Sequence, residues 1–221
     1  MEDSIKLNIL YEDNHLLVLE KPINIPTCLD ESKDLDLLSM VKSYIKEKYK
    51  KPGNVYVGLV HRLDRPVGGI MVFAKTSKAS KRLTEEIRNK TFKKEYYAVI
   101  DGILNKDGHF EDYLVKDAKT NIVKVDKSGK YASLYYSVID IKENKTLVKI
   151  NLETGRSHQI RVQFSSRNYP LFGDQKYNKK AKCNEQIALY SYFLSFKHPV
   201  TKEVMNFKLD LPNRYPFNLF N

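Results

Sequence analysis

Asp64 stands between Arg62 and Arg65 in the segment Val60-His61-Arg62-Leu63-Asp64-Arg65-Pro66-Val67-Gly68-Gly69. A carboxylate among cations can serve as a nucleophile or a base, because neighbouring positive charge favours its ionised form. Pro66 and two glycines close the segment, and glycine permits positive φ or close approach by another backbone. The same residues also describe a plain turn in which Asp64 caps a backbone group and both arginines are solvated. On the residues alone, that second description is the commoner one. Other chemistries find little support. The five histidines (15, 61, 109, 158 and 198) lack zinc-ligand spacing, Cys28 and Cys183 are far apart, and no phosphate-cradling or dinucleotide-type glycine loop is present.

Elements able to position this loop can be read on both sides of it. Residues 14–20 read as a buried strand stopped by Lys21-Pro22. Residues 34–50 carry Leu37, Val41, Tyr44 and Ile45 at helical spacing, with lysines on the outer face and Pro52-Gly53 beyond. Short strands are expected at 55–60 and 69–75, with the Asp64 loop between them. A helix from Thr76 or Ser77 should turn Ala79, Leu83 and Ile87 inward. Further strands are expected at 95–101, 132–141, 146–152 and 203–209, and a helix near Ser157. Strands outnumber helices without alternating regularly, which predicts an α+β fold: a mixed, largely antiparallel β-sheet with flanking helices. Residues 1–221 show no repeat, linker or low-complexity tract and read as a single domain.

Bulk composition sets the setting. Lys plus Arg number 38 against 27 Asp plus Glu, a net charge of +11 that would attract a polyanion such as nucleic acid. A lysine-rich, merely solvated surface gives the same number. No stretch is long and apolar enough for a membrane span, and no secretory signal opens the chain. Two cysteines cannot make a disulfide framework. A reduced cytoplasmic location is expected.

Several blocks in order carry a family resemblance. His61-Arg62-Leu63-Asp64, with Gly69 and Ala74-Lys75 after it, resembles the signature of the RluA-type pseudouridine synthases. Lys94-Glu95-Tyr96 resembles that family's Lys-x-Tyr strand, and Gly155-Arg156-Ser157-His158-Gln159-Ile160-Arg161 its Gly-Arg-x-His-Gln-Ile-Arg motif. Pro170-Leu171-Phe172-Gly173-Asp174 with Tyr177, and then Phe196-Lys197-His198-Pro199, resemble the last two blocks. Together they span about residues 10–210. The chain departs from the family at Val67-Gly68, where Thr-Ser is usual, and at Gln163 and Tyr190, where His is usual. About ten residues precede the first catalytic-domain strand, so the small N-terminal RNA-binding domain of many members is not expected.

The resemblance implies conversion of uridine to pseudouridine in a structured RNA, ribosomal or transfer. The product is an isomer, so no cofactor and no metal are implied. It assigns Asp64 as the catalytic carboxylate, Tyr96 as the tyrosine that stacks on uracil and serves as a base, and Arg161 as the arginine paired with the carboxylate. The uridine would be extruded from its stack at a cost of a few kcal/mol, with Arg62 filling the vacated space. His61 would support the loop, and Arg65 and Arg156 would meet RNA. His158 would be structural, and Asp174 would bond to the loop backbone. The lysine-bearing runs 42–51, 75–94 and 176–182 would supply most phosphate contacts, interleaved tyrosines and phenylalanines suiting unstacked bases. A monomer with no protein partner is expected. Two other classes compete: a non-catalytic RNA-binding module on the same fold, and an RNA N-glycosidase, for which Asp64 lacks a second carboxylate.

Overall fold

A computed structural model describes residues 6–30 and 33–221. The fold is of the α+β class, with eleven strands in mixed, largely antiparallel pairing and three helices among these residues. Two compact units make it up. One takes in Met1–Phe92 and Phe193–Leu209, the other Lys93–Tyr192 and Asp210–Asn221.

In the first unit, strand β1 (Asn8–Glu12) pairs with β2 (Leu16–Lys21) across a tight turn. Asp13 makes that turn, its Oδ1 accepting from the backbone N–H of His15 at 2.8 Å and Leu16 at 2.6 Å. Helix α1 (Leu37–Lys48) starts where Asp36 accepts from the Ser39 N–H at 3.0 Å, and it buries Leu37, Val41 and Ile45. Tyr44, expected on that apolar face, instead sends its hydroxyl to Glu12. Strand β3 is short (Gly58–Leu59), whereas the sequence suggested 55–60. It lies on β4 (Gly68–Ala74), every residue of which is buried. Thr76 caps helix α2 (Ser77–Arg88). Leu83 of that helix joins Leu16, Val18, Ile70, Val72, Phe92, Leu194 and Phe196 in one apolar cluster.

The second unit begins with β5 (Lys93–Asp101) and continues through β6 (Gly108–Lys116), β7 (Val123–Val125), β8 (Lys130–Lys142) and β9 (Lys145–Leu152). Their order is β5-β9-β8-β6-β7, all antiparallel. Helix α3 (Gln159–Ser165) follows, nearly all of it buried. Strand β10 (Leu189–Lys197) contributes its first four residues to this unit and its last five to the other, where β11 (Val204–Lys208) pairs with it. Strands β1, β6, β7 and β10 are not expected from the sequence; β6 buries only Phe110 and Leu114 of its nine residues, and β7 is three residues long. Among the described residues no helix is long and apolar enough to cross a membrane.

Candidate active site

Asp64 sits half-buried on the loop between β3 and β4, in the first unit. The turn closes on itself, the Val67 N–H donating to the Asp64 carbonyl at 3.0 Å. Two side chains brace the backbone from below. Thr27 donates its hydroxyl to the Leu63 carbonyl at 2.7 Å and accepts from the Leu63 N–H at 3.3 Å. Lys21, wholly buried, donates its ammonium to the carbonyls of Pro22 at 2.8 Å and Arg65 at 3.0 Å. The residues before and after Asp64 are therefore both tied down, which holds the carboxylate in one place.

Lys21 is the residue that sequence reasoning missed. In the sequence it reads only as the end of a strand. Its signal was the period-two alternation of β2, which sets Leu17, Leu19 and Lys21 on one face, and Lys21 lies opposite Gly69 in the register with β4. Burial pulls its ammonium down to about 7 from an ordinary 10.5, the charge of Asp64 working to keep the proton and that of Arg65 against it.

The neighbours of Asp64 divide their work. Arg62 is exposed at the loop surface. Arg65, also exposed, pairs with Asp34. His61 accepts from the Val72 N–H through Nε2 at 3.2 Å and lies 5.7 Å from the Phe92 ring, which suits a loop support. Val67, where the family usually has threonine, is buried.

Tyr96, Arg156 and Arg161 lie in the second unit. Tyr96 is buried on β5, while Tyr97 points to the opposite face and stacks on Tyr192 with ring centres 3.8 Å apart. Tyr192 in turn donates its hydroxyl to Glu95. The two tyrosines of the Lys-Glu-Tyr-Tyr run are thus different in kind. Burial and then the nearby Glu95 carboxylate raise the Tyr97 hydroxyl above its usual value.

Arg161 is buried on α3, and its guanidinium fork grips Asp174 twice, Nε to Oδ2 at 2.8 Å and Nη2 to Oδ1 at 2.6 Å. Asp174 is wholly buried and its Oδ1 also accepts from the backbone N–H of Lys176 at 3.0 Å and Tyr177 at 3.3 Å. These backbone bonds close Asp174's own turn, and the arginine fork comes in addition. The Tyr177 ring lies 5.2 Å below the Arg161 guanidinium, and its hydroxyl meets His158 Nδ1 at 2.7 Å. His158 holds a left-handed backbone (φ 50°) at the mouth of α3. Gln159 completes the turn: its Oε1 accepts from Thr154 at 2.8 Å and the Arg156 N–H at 3.0 Å, and its Nε2 donates to the Ser133 carbonyl at 3.0 Å. Gln163 is buried, donating to Asp112 at 2.8 Å. Exposed Arg156 donates through Nε to the Tyr131 carbonyl at 2.8 Å.

The lysine runs need correction in two places. Lys75 is covered and binds Glu12 at 2.8 Å, and Lys94 is buried, so neither belongs to a solvated basic face. Lys48 also binds Glu12, at 2.6 Å, but stays exposed.

Comparison with known proteins supplies an independent view. The model of the RNA pseudouridylate synthase family matches residues 15–166. Over 231 residues the chain is 31% identical to ribosomal large subunit pseudouridine synthase D of Haemophilus influenzae, covering 96% of this chain and 70% of that one. It is 35% identical over 205 residues to a Bacillus subtilis protein named uncharacterized RNA pseudouridine synthase YhcT, covering 90% and 67%. It spans 60–70% of the length of such relatives. Human RNA pseudouridylate synthase domain containing 4 shares the fold at a TM-score of 0.80 and 21% identity, over 96% of this chain and 92% of that one.

Proposed function

The chain belongs to the RNA pseudouridylate synthase family, and from that premise we propose that it isomerises uridine to pseudouridine in large-subunit ribosomal RNA with Asp64 as its catalytic carboxylate. The observation that carries the reading is the bracing of the Asp64 turn by Thr27 and Lys21. A capping aspartate needs no such support, whereas a carboxylate that must meet one atom of a nucleoside does. The substrate class follows the names of relatives such as that of Haemophilus influenzae.

In the reaction the bond between ribose carbon 1′ and uracil nitrogen 1 breaks, the base turns, and carbon 1′ joins carbon 5. The proton displaced from carbon 5 leaves and nitrogen 1 gains one, so the formula is unchanged. Asp64 opens the sequence by attack on carbon 1′, by attack on ring carbon 6, or by taking a sugar proton. Each route needs an ionised, immobile carboxylate. Tyr96 stacks on the uracil and serves as the general base. Arg161, with its fork set by Asp174, is the arginine that orients the carboxylate. Exposed Arg62 fills the place of the extruded uridine, and Arg65 and Arg156 meet the RNA backbone.

Asp64→Asn should abolish pseudouridine formation in an unmodified large-subunit ribosomal RNA transcript, while RNA affinity stays within about tenfold, or ~1.4 kcal/mol. Chemical labelling of pseudouridine and the mass of the RNA read the result together. Loss of uracil would instead identify a glycosidase, and an unchanged transcript with wild-type protein would leave only a binding module. Turnover by the Asn variant above a trace would remove Asp64 from the chemistry.

A further inference from the structure

Lys94 is nine-tenths buried near the start of β5. Among the described residues, no carboxylate, carbonyl or hydroxyl is hydrogen-bonded to its ammonium, and no nearby charge opposes the effect of burial, which lowers its proton affinity below that of an ordinary lysine. Three other covered cations are compensated. Lys21 has two carbonyls, Lys75 has Glu12 and the Asp13 carbonyl, and Arg161 has both oxygens of Asp174. An ammonium largely withdrawn from water with no protein partner is costly, and such a cost persists where function requires it.

The surroundings say what would meet that charge. The stem is covered, but Nζ itself is not sealed from solvent. Over it lies Gly155, an exposed residue at which an added Cβ would stand 3.1 Å from Nζ. The missing side chain leaves the approach open. Alternation along β5 sets Lys94 on the same face as Tyr96, roughly 7 Å along the strand. A cation thus waits about one nucleotide's reach from the tyrosine assigned to the uracil. Uracil and ribose offer only neutral acceptors, and the anion that RNA carries at every nucleotide is its phosphate.

We propose that Lys94 is a phosphate-binding residue, its ammonium taking a non-bridging oxygen of the RNA strand beside the target uridine through the gap left by Gly155. This assignment rests on the reading of the chain as an enzyme acting on RNA. It separates Lys94 from the lysines of the surface, which meet the backbone in water, because a desolvated ammonium binds a phosphate more strongly and at one position.

Lys94→Met tests it, with binding of an unmodified large-subunit ribosomal RNA transcript measured over a range of salt. Methionine matches the volume and removes an uncompensated charge, so the variant should melt at or above the wild-type temperature. Its affinity should fall about tenfold at low salt. The log–log salt slope should shrink by about 0.7–0.9, one phosphate's share. Gly155→Ala should weaken binding in the same direction with Lys94 intact. An unchanged salt slope in Lys94→Met overturns the proposal, whether affinity falls (a neutral acceptor is then the partner) or holds. A lower melting temperature with unchanged slope makes Lys94 structural and overturns it too. Because the slope is read from binding, absence of pseudouridine formation by wild-type protein would count against the proposed function alone.

Discussion

Arg161 and Asp174 show how much a single side chain depends on its neighbour. Both are buried, and they meet in a two-point fork that fixes the plane of the guanidinium. Breaking a buried pair leaves one charge without its counter-ion, which typically costs about 3–5 kcal/mol. Asp174→Ala should therefore lower the unfolding free energy measured in urea by an amount of that order, with the Asn variant in between. Lysine keeps the charge of arginine but not the fork. Single-turnover rates should then run wild type, Arg161→Lys, Arg161→Ala, each checked for folding by thermal melting. A well-folded Arg161→Ala with a near-normal rate would remove Arg161 from the reaction.

At the scale of elements, the end of β1 is fastened to α1 and to the end of β4 through one carboxylate. Glu12 accepts from Lys48, Lys75, Tyr44 and Tyr49, at 2.6 to 2.8 Å. Burial by itself would push its pKa up, yet these four donors overcome it and bring the group down to about 2. The folded form thus holds its proton less tightly than the unfolded chain, whose value is near 4.5. The stability Glu12 contributes is complete above pH 4.5 and is lost as the pH falls toward 2. Glu12→Gln should flatten that limb of an acid-denaturation curve; an identical acid limb in both proteins would show that the cluster does not hold these elements together. Much of this architecture was legible. The buried strand ending at Lys21, both flanking helices and the strands around the Asp64 loop follow from apolar periodicity and caps. What escaped was set by long-range pairing. Strand β6 buries only Phe110 and Leu114 of its nine residues, and Glu12 looks like any surface glutamate until four donors from two other segments converge on it. The candidate site divides in the same way. Motifs named Asp64, Tyr96 and Arg161, but the supports beneath them, Lys21, Thr27 and Asp174, gain their roles only from residues 13 to 44 positions away.

For the molecule as a whole, the +11 charge is the quantity most easily misread. Lys21, Lys75 and Lys94 count toward it, yet all three are withdrawn from the surface. Lys21 has a consequence for the folding equilibrium itself. The folded protein holds this proton with an affinity near 7, the unfolded chain near 10.5. Below pH 7 both forms carry it, and the cost of burying the cation is borne in full. Between these values only the unfolded chain does, so the contribution of Lys21 to stability improves as the pH rises through that window. Folding there is a reaction that expels a proton into the buffer. Refolding measured by calorimetry at pH 8–9 should therefore give an enthalpy that tracks the ionisation heat of the buffer, and Lys21→Met should remove most of that dependence; equal dependence in the two proteins would mean that Lys21 keeps its proton throughout. The brace beneath the Asp64 loop would then make each folding event audible as heat taken up or given out by the surrounding salt solution.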